Sequence, residues 1–139
     1  MQFRVATIAL LVSAVAGAAL PAEAEAGNEA RGLIEARANG DITWYNVGLG
    51  ACGKQNVDTD LIVALNKADF DPHTPNGNPN NNKLCGKKMR VSYNGKSVDV
   101  TLRDRCAGCK KGDVDLSPAA FKKLAPLGNG RVKGSWKWL

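Results

Sequence analysis

Between Lys88 and Asp104 the chain changes character at almost every residue. Met89, Val91 and Tyr93 alternate with Arg90 and Ser92, and beyond Asn94-Gly95 the residues Val98, Val100 and Leu102 alternate with Ser97, Asp99, Thr101 and Arg103. A period of two is the mark of a half-buried strand and is incompatible with a helical face. Asn-Gly supplies the two residues of positive φ that a tight hairpin turn needs. Lys88 to Asp104 is therefore predicted to be a β-hairpin. Asp104 continues the apolar row of the second strand, so its carboxyl is either a structural acceptor or a functional group facing a groove.

Further strands are expected at Ile42 to Val47, at Leu61 to Leu65 and at Arg131 to Leu139. In the last of these Val132, Gly134, Trp136 and Trp138 share one face, and the two tryptophans are expected to close a core rather than stack on a ligand. One helix is predicted, with Ser117 as its N-cap, Pro118 at its first position and Ala119 to Leu124 following. Asp113 and Asp115 lie just upstream; Asp115 is either a helix-end acceptor or a groove residue. Phe70 to Leu84 holds three prolines, five asparagines and one glycine, which reads as an exposed loop. His73, the sole histidine, falls in that loop and is expected at the surface.

Residues 1–26 read as a signal peptide cleaved near 18–26. Arg4 provides a positive start, Val5 to Leu20 an apolar run and Ala16-Gly17-Ala18 a small-residue cleavage pattern, and a run of about 16 residues is short of the roughly 20 that span a bilayer. Residues 27–39 are expected to be a pro-segment or flexible arm, and 40–139 the ordered domain. All four glutamates precede residue 37. From residue 38 onward 16 Lys and Arg face 9 Asp, a net charge of +7. A positive field suits acidic polymers and nucleic acid alike. The basic residues are dispersed, however, and an exported chain meets a wall polymer before it meets DNA, so no nucleic-acid partner is expected.

Cys52, Cys85, Cys106 and Cys109 in a small exported chain point to two disulfides, with three connectivities open. The Cys106-to-Cys109 spacing also fits a redox pair or half of a zinc site. His73 adds no convincing further ligand, so neither metal nor cofactor is expected. Bridges Cys52–Cys85 and Cys106–Cys109 would stabilise by about 4 and about 2 kcal/mol respectively on chain-entropy grounds.

Several strands, a short helix and a strapped loop describe a small, mainly β barrel. The segments TWYNVGLGACG, DLIVALNKADFDP, CGKKMRVSYNGKSVDVTLRDRCAGC and DVDLSPAAFKKLA resemble the rare lipoprotein A-like double-psi β-barrel family. Within it the chain is most similar to the single-domain, expansin-like fungal loosenins, relatives of barwin and of the first expansin domain. The resemblance spans about Gly40 to Leu139. It implies a six-stranded double-psi β-barrel with one or two short helices and an open groove. It further implies that Thr43, Tyr45, Asp104 and Asp115 line that groove, with Asp104 and Asp115 as its chemically active pair. Barwin-like relatives imply the pairing Cys52–Cys85, which leaves Cys106–Cys109. Cys106 stands where some expansins place an aromatic.

Glycoside hydrolysis ordinarily needs two carboxyls, one as acid and one as base or nucleophile. Related endoglucanases place a base near the first strand, where this chain has Thr43, Trp44, Tyr45 and Asn46. The resemblance therefore implies a secreted, monomeric, non-lytic protein that binds and loosens cell-wall polysaccharide: cellulose, chitin or a peptidoglycan-like polymer. Two alternatives stand beside it: a protein-binding module such as a cysteine-protease inhibitor or effector, and a weak glycan-lytic enzyme using Asp104 and Asp115.

Overall fold

The hairpin forms as its alternation requires. In the computed structural model, which describes residues 37–139, strand β3 (Lys88–Tyr93) runs antiparallel to β4 (Lys96–Cys106), with Met89 opposite Val100 and Val91 opposite Val98. Asn94 and Gly95 turn the chain at φ 49° and 79°. The predicted signal peptide and most of the predicted arm lie outside the described residues. Ala38 and Asn39, expected in that arm, instead pair with Trp136 and Ser135 as the start of a strand.

The other elements are β1 (Ala38–Trp44), β2 (Ile62–Asn66), α1 (Lys67–Phe70), β5 (Val114–Leu116), α2 (Pro118–Lys122) and β6 (Arg131–Trp138). The six strands close in the order β1-β5-β2-β4-β3-β6. β1–β5 and β2–β4 are parallel and the other four pairs antiparallel. Closure leaves none of these six strands, among the described residues, with an edge open to pair with another chain. Inside, Val63, Leu65, Met89, Val91, Leu102, Val114 and Leu116 are fully buried, and Phe70 and Phe121 plug the barrel from α1 and α2. Each such side chain contributes about 1.5–3 kcal/mol. Trp136 is buried, donates its Nε1–H to Gly112 O at 2.9 Å, and meets Trp138 edge-on with centroids 5.6 Å apart.

Three local features depart from the expectations of pattern. β5 is a strand that periodicity misses, because three residues are too few to show one. The stretch from Phe70 to Leu84 is not a plain loop. Three 3₁₀ turns follow α1, two of them led by Pro75 and Pro79, and the ends Phe70 and Leu84 are buried. Proline presets the φ such turns require. Asn82, also buried, ties the stretch together by donating to Phe70 O and Thr74 Oγ1 at 2.8 Å and accepting from Leu84 N. Finally, β4 carries a bulge: Val63 pairs Leu102 but Ala64 pairs Asp104, leaving Arg103 without a ladder partner. The Arg103 carbonyl accepts from Cys52 N instead. A bulge re-aims the side chains beyond it, and Asp104 meets the segment after β1 rather than extending the apolar row.

α2 starts as expected. Ser117 Oγ accepts from Ala120 N at 3.3 Å and donates to Asp60 O, so the cap is Ser117 and Asp115 is left for other work. The bridges join Cys52 to Cys85 and Cys106 to Cys109. The first ties the segment after β1 to the approach to β3; the second closes a tight turn at the end of β4.

Candidate functional site

Parallel pairing of β1 with β5 sets Thr43 directly across from Asp115. Thr43 Oγ1 donates to Asp115 Oδ1 at 2.8 Å. One residue beyond β1, Tyr45 is fixed by its N–H to Leu116 O, and its hydroxyl donates to Asp104 Oδ2 at 2.9 Å. Asp104 Oδ1 accepts from Ala51 N and Arg105 N, each at 2.8 Å. The four residues drawn from the resemblance are thus brought together as two hydrogen-bonded pairs. The pairs sense each other, because the Asp104 charge acts on Asp115 and the Asp115 charge on Tyr45.

The two carboxyls have different surroundings. Burial raises Asp115 above the usual carboxylate range and the Asp104 charge adds to the rise, while the Thr43 hydrogen bond and the Arg131 charge pull it down. A proton is therefore held on Asp115 to higher pH than on a free aspartate. Asp104 is surrounded by three donors and acts as an acceptor. Burial, then the Asp104 charge and hydrogen bond, raise the Tyr45 hydroxyl far above the phenol range. It remains a donor at any working pH.

A cleft of about 360 Å³ opens on this arrangement, lined by Thr43, Trp44, Asp113, Asp115, Arg131 and the Cys106–Cys109 turn. Tyr45 and Asp104 lie beside that lining rather than in it. Two other grooves are larger. One of about 830 Å³ surrounds the Asn94-Gly95 turn and has no carboxyl in its wall. The other, of about 800 Å³, lies between Trp44 and α2 and is mainly apolar, with Asp58 as its only acid. Volume favours those two, but the perturbed acid and its hydrogen-bonded partners stand at the smaller cleft, and chemistry decides.

Arg131, like Trp44 and Asp113, lines the cleft although sequence reasoning did not place it there. It pairs with Thr43 across the β1–β6 ladder and donates to Asp41 Oδ2 at 2.8 Å, and no local pattern marks it. Trp44 is fixed by donating Nε1–H to Leu127 O at 3.0 Å. Cys106 brings sulfur to the wall: its Sγ lies 4.0 Å from Asp115 Oδ2. A bridged sulfur has no proton to give, so this contact is packing rather than a hydrogen bond. Cys106, Cys109 and Asp115 place their ligand atoms within 4.8 Å of one another. With the sulfurs bonded together there is no thiolate pair to hold an ion.

A closed six-stranded barrel of mixed parallel and antiparallel pairing is the architecture of a double-psi β-barrel. A family model described as lytic transglycolase, that of the RlpA-like double-psi β-barrel, matches residues 37–136, and the chain belongs to this family. It is 43% identical over 110 residues to a papain inhibitor of Streptomyces mobaraensis, covering 76% of this chain and 74% of that protein. A homolog of allergen Asp f 7 from Arthroderma benhamiae is 41% identical over 87 residues, 61% of this chain but 28% of the allergen homolog. Among solved structures, a Streptomyces papain inhibitor superposes with a TM-score of 0.67 at 43% identity, covering 74% of this chain and 94% of the inhibitor. An expansin of Clavibacter michiganensis, solved with cellohexaose, gives 0.61 at 23% identity over 74% of this chain and 50% of the expansin. That last likeness is one of fold.

Proposed function

We propose that this protein is exported and binds cell-wall polysaccharide without cleaving it, through the cleft at Thr43 and Asp115 with Tyr45 and Asp104 beside it. The observation that carries the reading is the asymmetry of the carboxyls. Asp115 holds its proton to higher pH than a free aspartate and stands at an open cleft, where its protonated form donates a hydrogen bond to a sugar oxygen. Asp104 already accepts from Tyr45, Ala51 and Arg105. Its oxygens are spent on positioning, as are those of Asp113 in the same wall, which accept from Asp41 N and Lys110 N, and this leaves Asp115 as an acid without a base or nucleophile opposite. Export rests on the predicted leader and the two bridges. Cellohexaose in the expansin supports the substrate class only as far as a shared fold can.

The test is a pull-down on insoluble cellulose, chitin and peptidoglycan with wild type, Asp115→Ala and Tyr45→Ala, assaying soluble sugar in the same tubes. Loss of one charge-assisted or buried hydrogen bond should weaken binding by about tenfold. Soluble sugar release by the wild type at any pH contradicts the non-lytic reading and favours the lytic one. Absence of binding to all three polymers removes the polysaccharide reading altogether.

A second reading is favoured by a specific observation, the 43% identity to a papain inhibitor over three quarters of both chains. On it the protein inhibits a cysteine protease and the cleft is incidental. Inhibition of papain that Asp115→Ala leaves unchanged supports this reading.

A further inference from the structure

Exposed large hydrophobic side chains are few among the described residues, and two of the most exposed flank one loop. Leu49 is 71% and Val57 56% accessible. A lone exposed leucine means little. The backbone beneath this one is unusual. Residues 47–57 turn back on themselves, with Leu49 bridged to Gln55, Gly50 N donating to Lys54 O, Gly53 N to Gly50 O and Asn56 N to Gly48 O, each of these bonds 2.9 Å. Buried Asn56 fills the loop and donates Nδ2–H to both Gly48 O and Lys54 O at 3.0 Å.

The base is fastened as firmly. Val47 N donates to Asp58 Oδ1, Ala51 N to Asp104 Oδ1 and Cys52 N to Arg103 O, while the Cys52–Cys85 bridge straps the loop to the far side. The loop is also narrow. Gly48, Gly50 and Gly53 leave Leu49 as the one large side chain on its leading arm. At Gly50 no other residue fits, since a Cβ would lie 2.2 Å from Arg103 O. No acidic residue occurs from Val47 to Val57, and Lys54 gives the ridge its only charge.

We propose that this ridge, led by Leu49, is the edge that enters the substrate cleft of a papain-type cysteine protease, with Leu49 seated in an apolar subsite. The proposal rests on the protease-inhibitor reading and names the surface that performs it. A narrow convex element matches a cleft rather than a flat face. Its order before binding removes much of the entropic cost that a flexible loop pays on docking. Binding energy concentrates in a few well-packed anchor side chains, and Leu49 is the most exposed large apolar side chain of the ridge. No residue of the ridge lines the cleft at Asp115, and the two meet only where Asp104 accepts from Ala51 N, so Leu49 substitutions alter the ridge without removing a cleft side chain.

The experiment measures steady-state inhibition of papain by the mature protein and by Leu49→Asp, Leu49→Ala and Leu139→Asp. Leu139 is exposed to a similar degree, at 58%, outside the loop, and serves as the control. Burying a charge in an apolar subsite should raise the inhibition constant of Leu49→Asp by about tenfold or more, with Leu49→Ala moving the same way by less. Leu139→Asp should match wild type. The Leu49 variants should keep the wild-type melting temperature, because the side chain is largely in solvent. Wild-type inhibition that neither Leu49 variant changes by more than about twofold overturns this inference and leaves the inhibitor reading standing. A wild type that does not inhibit papain overturns both.

Discussion

Replacing Cys52 and Cys85 together by serine should destabilise the barrel far more than the same change at Cys106 and Cys109. The bridges span sequence separations of 33 and 3 residues. Cross-linking removes loop-closure entropy from the unfolded chain in proportion to the logarithm of loop length, about 4 kcal/mol for the first and about 2 kcal/mol for the second. Packing adds in the same direction, since Cys52 and Cys85 both lie against the hydrophobic core. For a domain of this size a gap of about 2 kcal/mol corresponds to roughly 8–16 °C in melting temperature. The assay is equilibrium urea denaturation of both double variants beside wild type, with a thermal scan as a second probe. Equal losses, or a larger loss for the Cys106/Cys109 variant, would refute the entropic reasoning and show that the short bridge holds structure the loop length does not count. Removing the short bridge should still alter the cleft, whose wall it forms.

Two further predictions concern the strands that build the cleft. The folded state holds a proton on Asp115 above its unfolded range, so Asp115 favours folding while protonated and loses that advantage as pH rises from the unfolded value of about 4 through its raised folded value. Asp115→Asn should therefore gain stability over wild type at neutral pH and lose the gain below about pH 4, read as the difference between two urea midpoints across pH; a constant difference would count against the burial argument. Gly40→Ala should lower stability by several kcal/mol or prevent folding, because the new Cβ would lie 2.2 Å from Gly112 O where β1 passes the approach to β5; a melting temperature within about 2 °C of wild type would show that the backbone gives way there.

Much of this molecule is legible in local pattern. Alternation marks the β3–β4 hairpin and β6, Asn94-Gly95 marks the turn, and Ser117-Pro118 marks the start of α2, since each depends on neighbours in the chain. Thr43, Tyr45, Asp104 and Asp115 enter the proposed site through family resemblance, and strand periodicity alone singles out only Asp104. The pairing of Thr43 with Asp115 joins residues 72 apart, and that of Tyr45 with Asp104 residues 59 apart. No window of sequence contains either.

Local sequence is enough to set most of the β elements, the hairpin turn, the helix cap and the chemical types available at the site. It takes the folded barrel to insert the three residues of β5 between β1 and β2, to bulge Arg103 out so that Asp104 faces Tyr45, to stand Arg131 beside Asp115, and to stiffen residues 47–57 into a ridge. One cause underlies all four. Strand order, a bulge and a loop clamp are fixed by hydrogen bonds and burial between distant segments, and these energies exist only once the barrel closes.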